Sequence, residues 1–352
     1  MTNRENYISI AKRQGYEKVP AEIKLCPILR QRFDEYVAST GFEYVSPWSA
    51  ISDIVPKSAK SEEFLKYYPD GLKEKTKIDI YGVAYETGSS SAFHMTRMRH
   101  PMGSFDSVEQ ILEYPFPDFS VGDDSYQIAA IKKAHDADRI AMGRMSCNLW
   151  EISWYMRGME NLMADMMLAD PMADVLLDKM TESAVIRARS YAKNGADVIL
   201  LGDDIGMQRS IMMSEELYCH YLKPRMKRII DAAKAVKPDV LIFYHSCGFV
   251  TPFIPHLIDV GVDVLDPVQP ECMDFKEIHG AFSDRLSFHG TIGTQTTMPH
   301  GTPDDVRREV YKNLDIAGEK GGLFVCPTHL LEPDVPIENV VAYINACRDY
   351  TS

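Results

Sequence analysis

The side chains best placed to do chemistry in this chain are His245 and Cys247, at the end of the apolar run Leu241-Ile-Phe-Tyr-His245-Ser-Cys247-Gly248. Successive strand side chains alternate between faces, so residues two apart point the same way. An imidazole and a thiolate would converge at the end of one strand, where a soft divalent metal such as zinc takes both. Cys326, within Gly322-Leu-Phe-Val-Cys-Pro-Thr-His329, would supply a third donor. His329 is its rival, or else a substrate contact. Three protein ligands with an open fourth position are the arrangement of catalytic zinc. Each residue also has a plain reading, since single histidines bond neighbours and single cysteines pack as small hydrophobes.

Further polar residues close other apolar runs: Asp203 and Asp204 after Ala196–Gly202, Asp266 in Val262–Val268, and His289 in Leu286–Ile292. Asp203, Asp204 and His289 are expected to orient substrate. Glu151 is expected either as a fourth metal ligand that substrate displaces or as a proton donor. Its plain alternative is a carboxylate favoured by a helix N-terminus. Trp150, Trp154 and Tyr155 would line a pocket for a flat or greasy substrate, or simply pack a helix. Gln208 is placed with the substrate contacts. The basic segment His94-Met-Thr-Arg-Met-Arg-His100 could hold a carboxylate through Arg97 or Arg99, or be a solvated loop. No phosphate-cradling glycine pattern is present, since Gly202-Asp-Asp-Ile-Gly206 fits neither nucleotide fingerprint.

Such residues need a frame. From Ala196 onward, five apolar runs alternate with helical patterns: runs near 196–202, 240–248, 262–268, 286–292 and 322–329, helices over 214–235, 252–260, 274–282, 302–318 and from 336. That alternation predicts a parallel sheet with helical crossovers. Runs at 19–26 and 139–145 would supply earlier strands, and 149–167 reads as helix. The expected fold class is α/β, a (β/α)₈ TIM barrel forming a single domain over 1–352, with about 45–120 as an insertion or lid over its mouth.

Composition bounds the function. A net charge of −13 argues against a nucleic-acid partner. No run of about 18 apolar residues predicts a membrane span, and the first residues lack the apolar core of a signal peptide. Seven cysteines at irregular spacing do not form a disulfide framework, so a cytoplasmic location is expected. The methionines between Met156 and Met167 read as core or subunit contact, which leaves room for a homodimer.

With these segments placed, the chain resembles the uroporphyrinogen decarboxylase superfamily, which includes the zinc-dependent corrinoid methyltransferases. The motifs that carry the resemblance are Gly195-Ala-Asp-Val, Gly202-Asp-Asp204, His245-Ser-Cys-Gly248, Gly261-Val-Asp-Val-Leu-Asp-Pro-Val-Gln-Pro270, Gly290-Thr-Ile-Gly-Thr-Gln295 and Pro333-Asp-Val-Pro-Ile-Glu-Asn339. The resemblance implies the barrel. The decarboxylases carry an arginine-rich Met-Arg-Gln-Ala-Gly-Arg motif for porphyrinogen carboxylates, and here that stretch reads Ile23-Lys-Leu-Cys-Pro-Ile-Leu-Arg30. Asp53 falls near their key aspartate without a basic companion. The methyltransferase branch looks similar in its His-x-Cys followed by a later cysteine, matched by His245, Cys247 and Cys326, although its last cysteine lies nearer the position of His329. Gly293 stands where many relatives carry aspartate. The resemblance therefore implies a zinc-dependent methyltransferase moving a methyl group between a small donor (a methyl ether, methylamine or thiol) and a corrinoid carried by a partner protein. The alternatives are a metal-free carboxy-lyase and a non-catalytic binding barrel.

Overall fold

The computed structural model describes residues 1–87 and 96–351. Among these, β1 (Trp48–Ile51), β2 (Ile140–Ser146), β3 (Val198–Gly202), β4 (Leu241–His245), β5 (Val264–Val268), β6 (Ser287–Ile292) and β7 (Leu323–Pro327) pair in that order as one all-parallel, seven-stranded sheet. Helices follow the strands from β2 onward, as the alternating pattern predicts. The sheet curls around a small interior cluster in which Met142, Leu200, Phe243 and Phe324 pack against Tyr7 of the helix Asn3–Ala11. Glu22 links the first strand to the sixth: Trp48 donates its indole N–H to Glu22 Oε2 at 2.5 Å, and His289 Nε2 lies 3.3 Å from the same oxygen.

The run expected as a first strand, 19–26, is extended but forms no strand. It makes one parallel bridge, Leu25 to Leu331, in which Leu331 N donates to Lys24 O and Cys26 N donates to Leu331 O. Pro20 lies within it and Pro27 follows it, and neither can donate to a ladder. Conversely, Trp48–Ile51 lies inside the stretch expected to be a lid, yet it pairs with β2. The rest of that stretch holds two small antiparallel sheets, Val55–Lys57 with Asp118–Asp123, and Lys77–Ile78 with Ala84–Thr87 and Thr96–Arg99.

Local chemistry sets the helix ends. Asp170 caps the helix Pro171–Asn194, Pro171 starts it, and Gly195 closes it in the left-handed conformation. The helix expected over 149–167 is two, Trp150–Arg157 and Met159–Met167, broken at Gly158 with φ 88°. No helix of the described residues is long and apolar enough to cross a membrane.

Candidate metal centre

The end of β4 points His245 and Cys247 to one side, and the loop after β7 brings His329 to them. One ligand atom from each of the three lies within 4.8 Å of the others. The Cys247 thiol sits 3.5 Å from His245 Nε2, and Cys247 N donates to Asp204 Oδ1 at 2.7 Å. Two glycines permit this. Gly202, with φ 145°, lies so close that a Cβ there would stand 2.3 Å from His245 O, and Gly248, with φ 87°, turns the chain immediately after Cys247. The donors suit a soft divalent metal: one sulfur, two imidazoles, and room for a further ligand on the half-open side.

Behind His245 runs a chain of buried polar groups. His245 Nδ1 meets Asp266 Oδ2 at 2.9 Å, and His289 Nδ1 meets Asp266 Oδ1 at 2.7 Å. His289 Nε2 continues to Glu22, which also accepts from Tyr7 Oη at 3.0 Å. Burial would raise the Asp266 carboxyl, but His289, Lys24 and His245 outweigh it and hold it well below the usual range. Burial would likewise lower His245, yet Asp266 and Cys247 raise it to about 10. His329 is lowered, first by burial and then by His245 and Lys24. Asp266 thus engages Nδ1 of His245 and leaves Nε2 as the nitrogen facing the thiol, the arrangement in which a metal-binding histidine is oriented by a carboxylate behind it.

The acidic residues just after β3 form the adjoining wall. Asp203 is fully buried; its Oδ1 accepts from Leu149 N and Glu151 N, while Oδ2 has no partner among the described residues. Burial and Glu151 raise its pKa to about 7. Glu151 accepts from Asp204 N at 3.1 Å and from Tyr155 Oη at 2.8 Å. Its own pKa is raised by burial and by Asp204. Asp204 therefore links Glu151 to Cys247 through its backbone and side chain.

Several expected residues fall elsewhere. Cys326 does not join His245 and Cys247: it is 1% exposed, and its thiol lies 3.3 Å from His289 Nε2, because as an inward residue of β7 it faces the interior rather than the mouth. His289 cannot orient substrate directly, since both ring nitrogens are engaged by Asp266 and Glu22. Trp150 is buried core, not pocket lining. Tyr155 remains at the wall through Glu151. Gln208 faces Gln295 across the mouth at 3.4 Å. Arg97 is exposed on the small sheet opposite Glu86, and it is Arg99 that bonds Glu86; His94 lies outside the described residues. Asp53 does have a basic companion, Arg187 of the helix Pro171–Asn194, whose Nε donates to it at 2.6 Å. Gly293 leaves space that Glu271 fills: Glu271 Oε1 lies 2.6 Å from where a Cβ would stand and accepts from Gln295 N.

Sequence reading missed Glu22, Lys24 and Arg144. The signal was available as charged residues at two-residue spacing within extended segments, Glu22 and Lys24 in one and Arg144 after Met142 in the other. Beside Cys247 and His329 lies a cavity of about 380 Å³, lined also by Gln208, Gln269, Gln295 and Thr328. A second cavity, about 440 Å³, lies near Lys18, Pro47 and Arg139 at the opposite, N-terminal end of the strands.

A seven-stranded parallel sheet carrying such donors at its C-terminal end is the frame of an enzyme. The family described as Uroporphyrinogen decarboxylase (URO-D) matches residues 77–350, and the chain belongs to that family. Among curated relatives, a methylated-thiol–coenzyme M methyltransferase of Methanosarcina mazei is 26% identical over 209 residues, covering 56% of this chain and 50% of the relative, so the chain spans half the length of that protein. A uroporphyrinogen decarboxylase of Pseudoalteromonas translucida is 23% identical over 277 residues, covering 77% of this chain and 74% of the relative. A solved methyltransferase structure from Methanosarcina mazei superposes with a TM-score of 0.66 at 17% identity over 99% of this chain and 98% of that one, a likeness of fold.

Proposed function

We propose that the protein is a zinc-dependent methyltransferase that moves a methyl group between a small donor (methyl ether, methylamine or thiol) and a corrinoid held by a partner protein in the cytoplasm. The observation that carries this reading is the convergence of His245, Cys247 and His329 within 4.8 Å at the open end of the sheet. The barrel reading belongs with it: the extended segment 19–26, bridged at Leu25 to Leu331 just past the end of β7, would serve as the eighth stave.

Zinc held by these three donors would polarise a substrate heteroatom at the open position. The remaining work falls to the chain's own side chains. Asp266 orients His245, and His289 with Glu22 fixes Asp266 in turn. Asp204 anchors the Cys247 backbone. Glu151, whose carboxyl is pushed up by burial and by Asp204, stands on the wall beside Asp204 and can exchange a proton with the heteroatom that loses or gains the methyl group. The half-open mouth, with Met207 and Gln208 exposed at its rim, leaves an approach for a cobalamin-carrying protein.

The decarboxylase alternative is disfavoured because Asp53 is tied to Arg187 on the helix layer outside the sheet. Metal content is the test. Stoichiometric zinc in protein purified without chelator, lost in Cys247→Ser, is expected; zinc that is absent, or unchanged by that substitution, would sink the reading.

A further inference from the structure

At the end of the sheet opposite the metal centre, a cavity of about 440 Å³ opens where the chain enters β1 and β2. Its buried lining is Ile344 and Cys347 of the helix Ile337–Asp349, and Pro20, Tyr44 and Pro47 wall it. These walls are tied in place. Ile140 N donates to Pro47 O at 3.0 Å, and Tyr44 Oη donates to Ala21 O at 3.4 Å. Ala21 precedes Glu22, whose N–H donates to Tyr343 Oη at 2.9 Å, one turn before Cys347. On another side the buried Asn6 accepts from Glu17 N and Lys18 N at 2.7 and 3.2 Å, and donates to Lys18 O at 2.8 Å. That fixes the turn carrying Lys18. A preformed cavity of this size, mostly apolar with a few convergent polar groups, is the usual form of a small-molecule site.

Three cations converge on it, Lys18, Arg139 and Arg348. Among the described residues none of them makes an ion pair. Arg348 donates to Glu43 O at 2.7 Å and lies over the Phe42 ring. Arg139 is half-buried, and its side chain has no hydrogen-bond partner among the described residues. Three carboxylates line the cavity too, but two are engaged: Glu17 accepts from Met1 N at 2.7 Å, and Asp138 accepts from Asn3 N and Arg4 N at the start of the helix Asn3–Ala11. Only Glu43, exposed at the rim, is left to answer three positive charges, in a chain whose net charge is −13. A half-buried guanidinium against apolar walls, without a partner of its own, is a ready donor to an anion.

We propose that this cavity binds a small organic anion, with an aromatic or branched aliphatic body against Tyr44, Pro47 and Ile344 and its acid group on Arg139 and Lys18. Barrel chemistry gathers at the C-terminal ends of the strands, so the ligand here is a second one and not the substrate. Neither zinc nor methyl transfer is needed for it to bind.

The test titrates the full chain with two fluorescent probes that share one body, the anion 8-anilinonaphthalene-1-sulfonate and the neutral N-phenyl-1-naphthylamine. One sulfonate probe per chain is expected, bound about tenfold or more tightly than the neutral probe at low salt. Arg139→Met and Lys18→Met should each remove most of that preference while leaving the neutral probe's affinity unchanged, and Arg139→Lys should keep it. Ala137→Trp, which fills the cavity from its exposed edge, should abolish binding of both. Equal affinity for the two probes, or a sulfonate affinity unmoved by Arg139→Met, would overturn the proposal. So would a chain that binds neither probe, or probes that bind Ala137→Trp as they bind the parent. Lys18 and Ala137 are exposed, so the result does not hang on the half-buried arginine alone. Zinc content, expected to be the same in parent and variants, keeps the outcome separate from the metal reading.

Discussion

His245 and His289 share one carboxylate: each ring places its Nδ1 against a different oxygen of Asp266, at 2.9 and 2.7 Å, across three adjacent strands. Neither histidine can rotate without leaving a buried charge half-paired, so the deep residue His289 holds the orientation of the rim residue His245.

Asp266→Asn breaks that arrangement. An amide can present only one acceptor oxygen, so one histidine loses its partner. Zinc affinity is expected to fall by roughly 10–100-fold, the usual effect of removing a carboxylate behind a metal-binding histidine. Competition with a chromophoric chelator measures it, and unaltered affinity would separate Asp266 from the metal site.

His329 and Cys326 give opposite expectations. His329→Ala should lose stoichiometric zinc, whereas Cys326→Ala should keep it, because the Cys326 thiol faces His289 and not the mouth. Elemental analysis of the two purified variants decides between them, and zinc retained in the first but lost in the second would reverse the assignment.

Gly202 sits where β3 passes His245 too closely for any side chain, with a Cβ predicted 2.6 Å from His245 N and 2.8 Å from its Cβ. Gly202→Ala must push β4 away and strain a φ of 145°. A loss of about 3 kcal/mol in urea unfolding is expected, at the upper end of overpacking costs. A variant as stable as the parent would show that the strands have slack there.

Asp203 sets a pH dependence. Its pKa lies at about 7 in the folded chain against an ordinary 3.8. Between these values the native state keeps a proton that the unfolded chain has lost, so this carboxyl's contribution to stability falls as pH rises through that window and levels off above it. Each pH unit is worth about 1.4 kcal/mol at most. Asp203→Asn removes the slope and supplies an N–H where Oδ2 has no partner among the described residues. Unfolding at about pH 4.5, 6 and 8 should show the variant gaining on the parent as pH rises; parallel curves would mean that Asp203 titrates normally.

Much of the frame was legible in the chain. The five strand–helix units from Ala196 onward follow the apolar periodicity closely, since buried parallel strands must be apolar on both faces. Capping residues such as Asp170, Ser214, Asp274 and Thr302 mark helix starts as local chemistry requires. The first half was harder to read. Trp48–Ile51 is only four residues long and sits amid prolines and charges, so nothing local distinguishes it from the lid around it. The segment 19–26 has a strand's alternation but only one bridge.

At the site, periodicity paired His245 with Cys247, because their spacing along one strand decides which way both side chains point. The third partner was beyond its reach. Cys326 and His329 are three residues apart near one strand end, and their fates differ only because Cys326 still faces the interior while His329 lies past the last rung of β7 and can turn over the mouth. The same limit hid Glu22 as a neighbour of His289. Alternation within a segment is a one-dimensional property that the sequence alone determines. Which inward faces meet depends on how a curled sheet brings strands hundreds of residues apart to one mouth, and only the tertiary structure decides that.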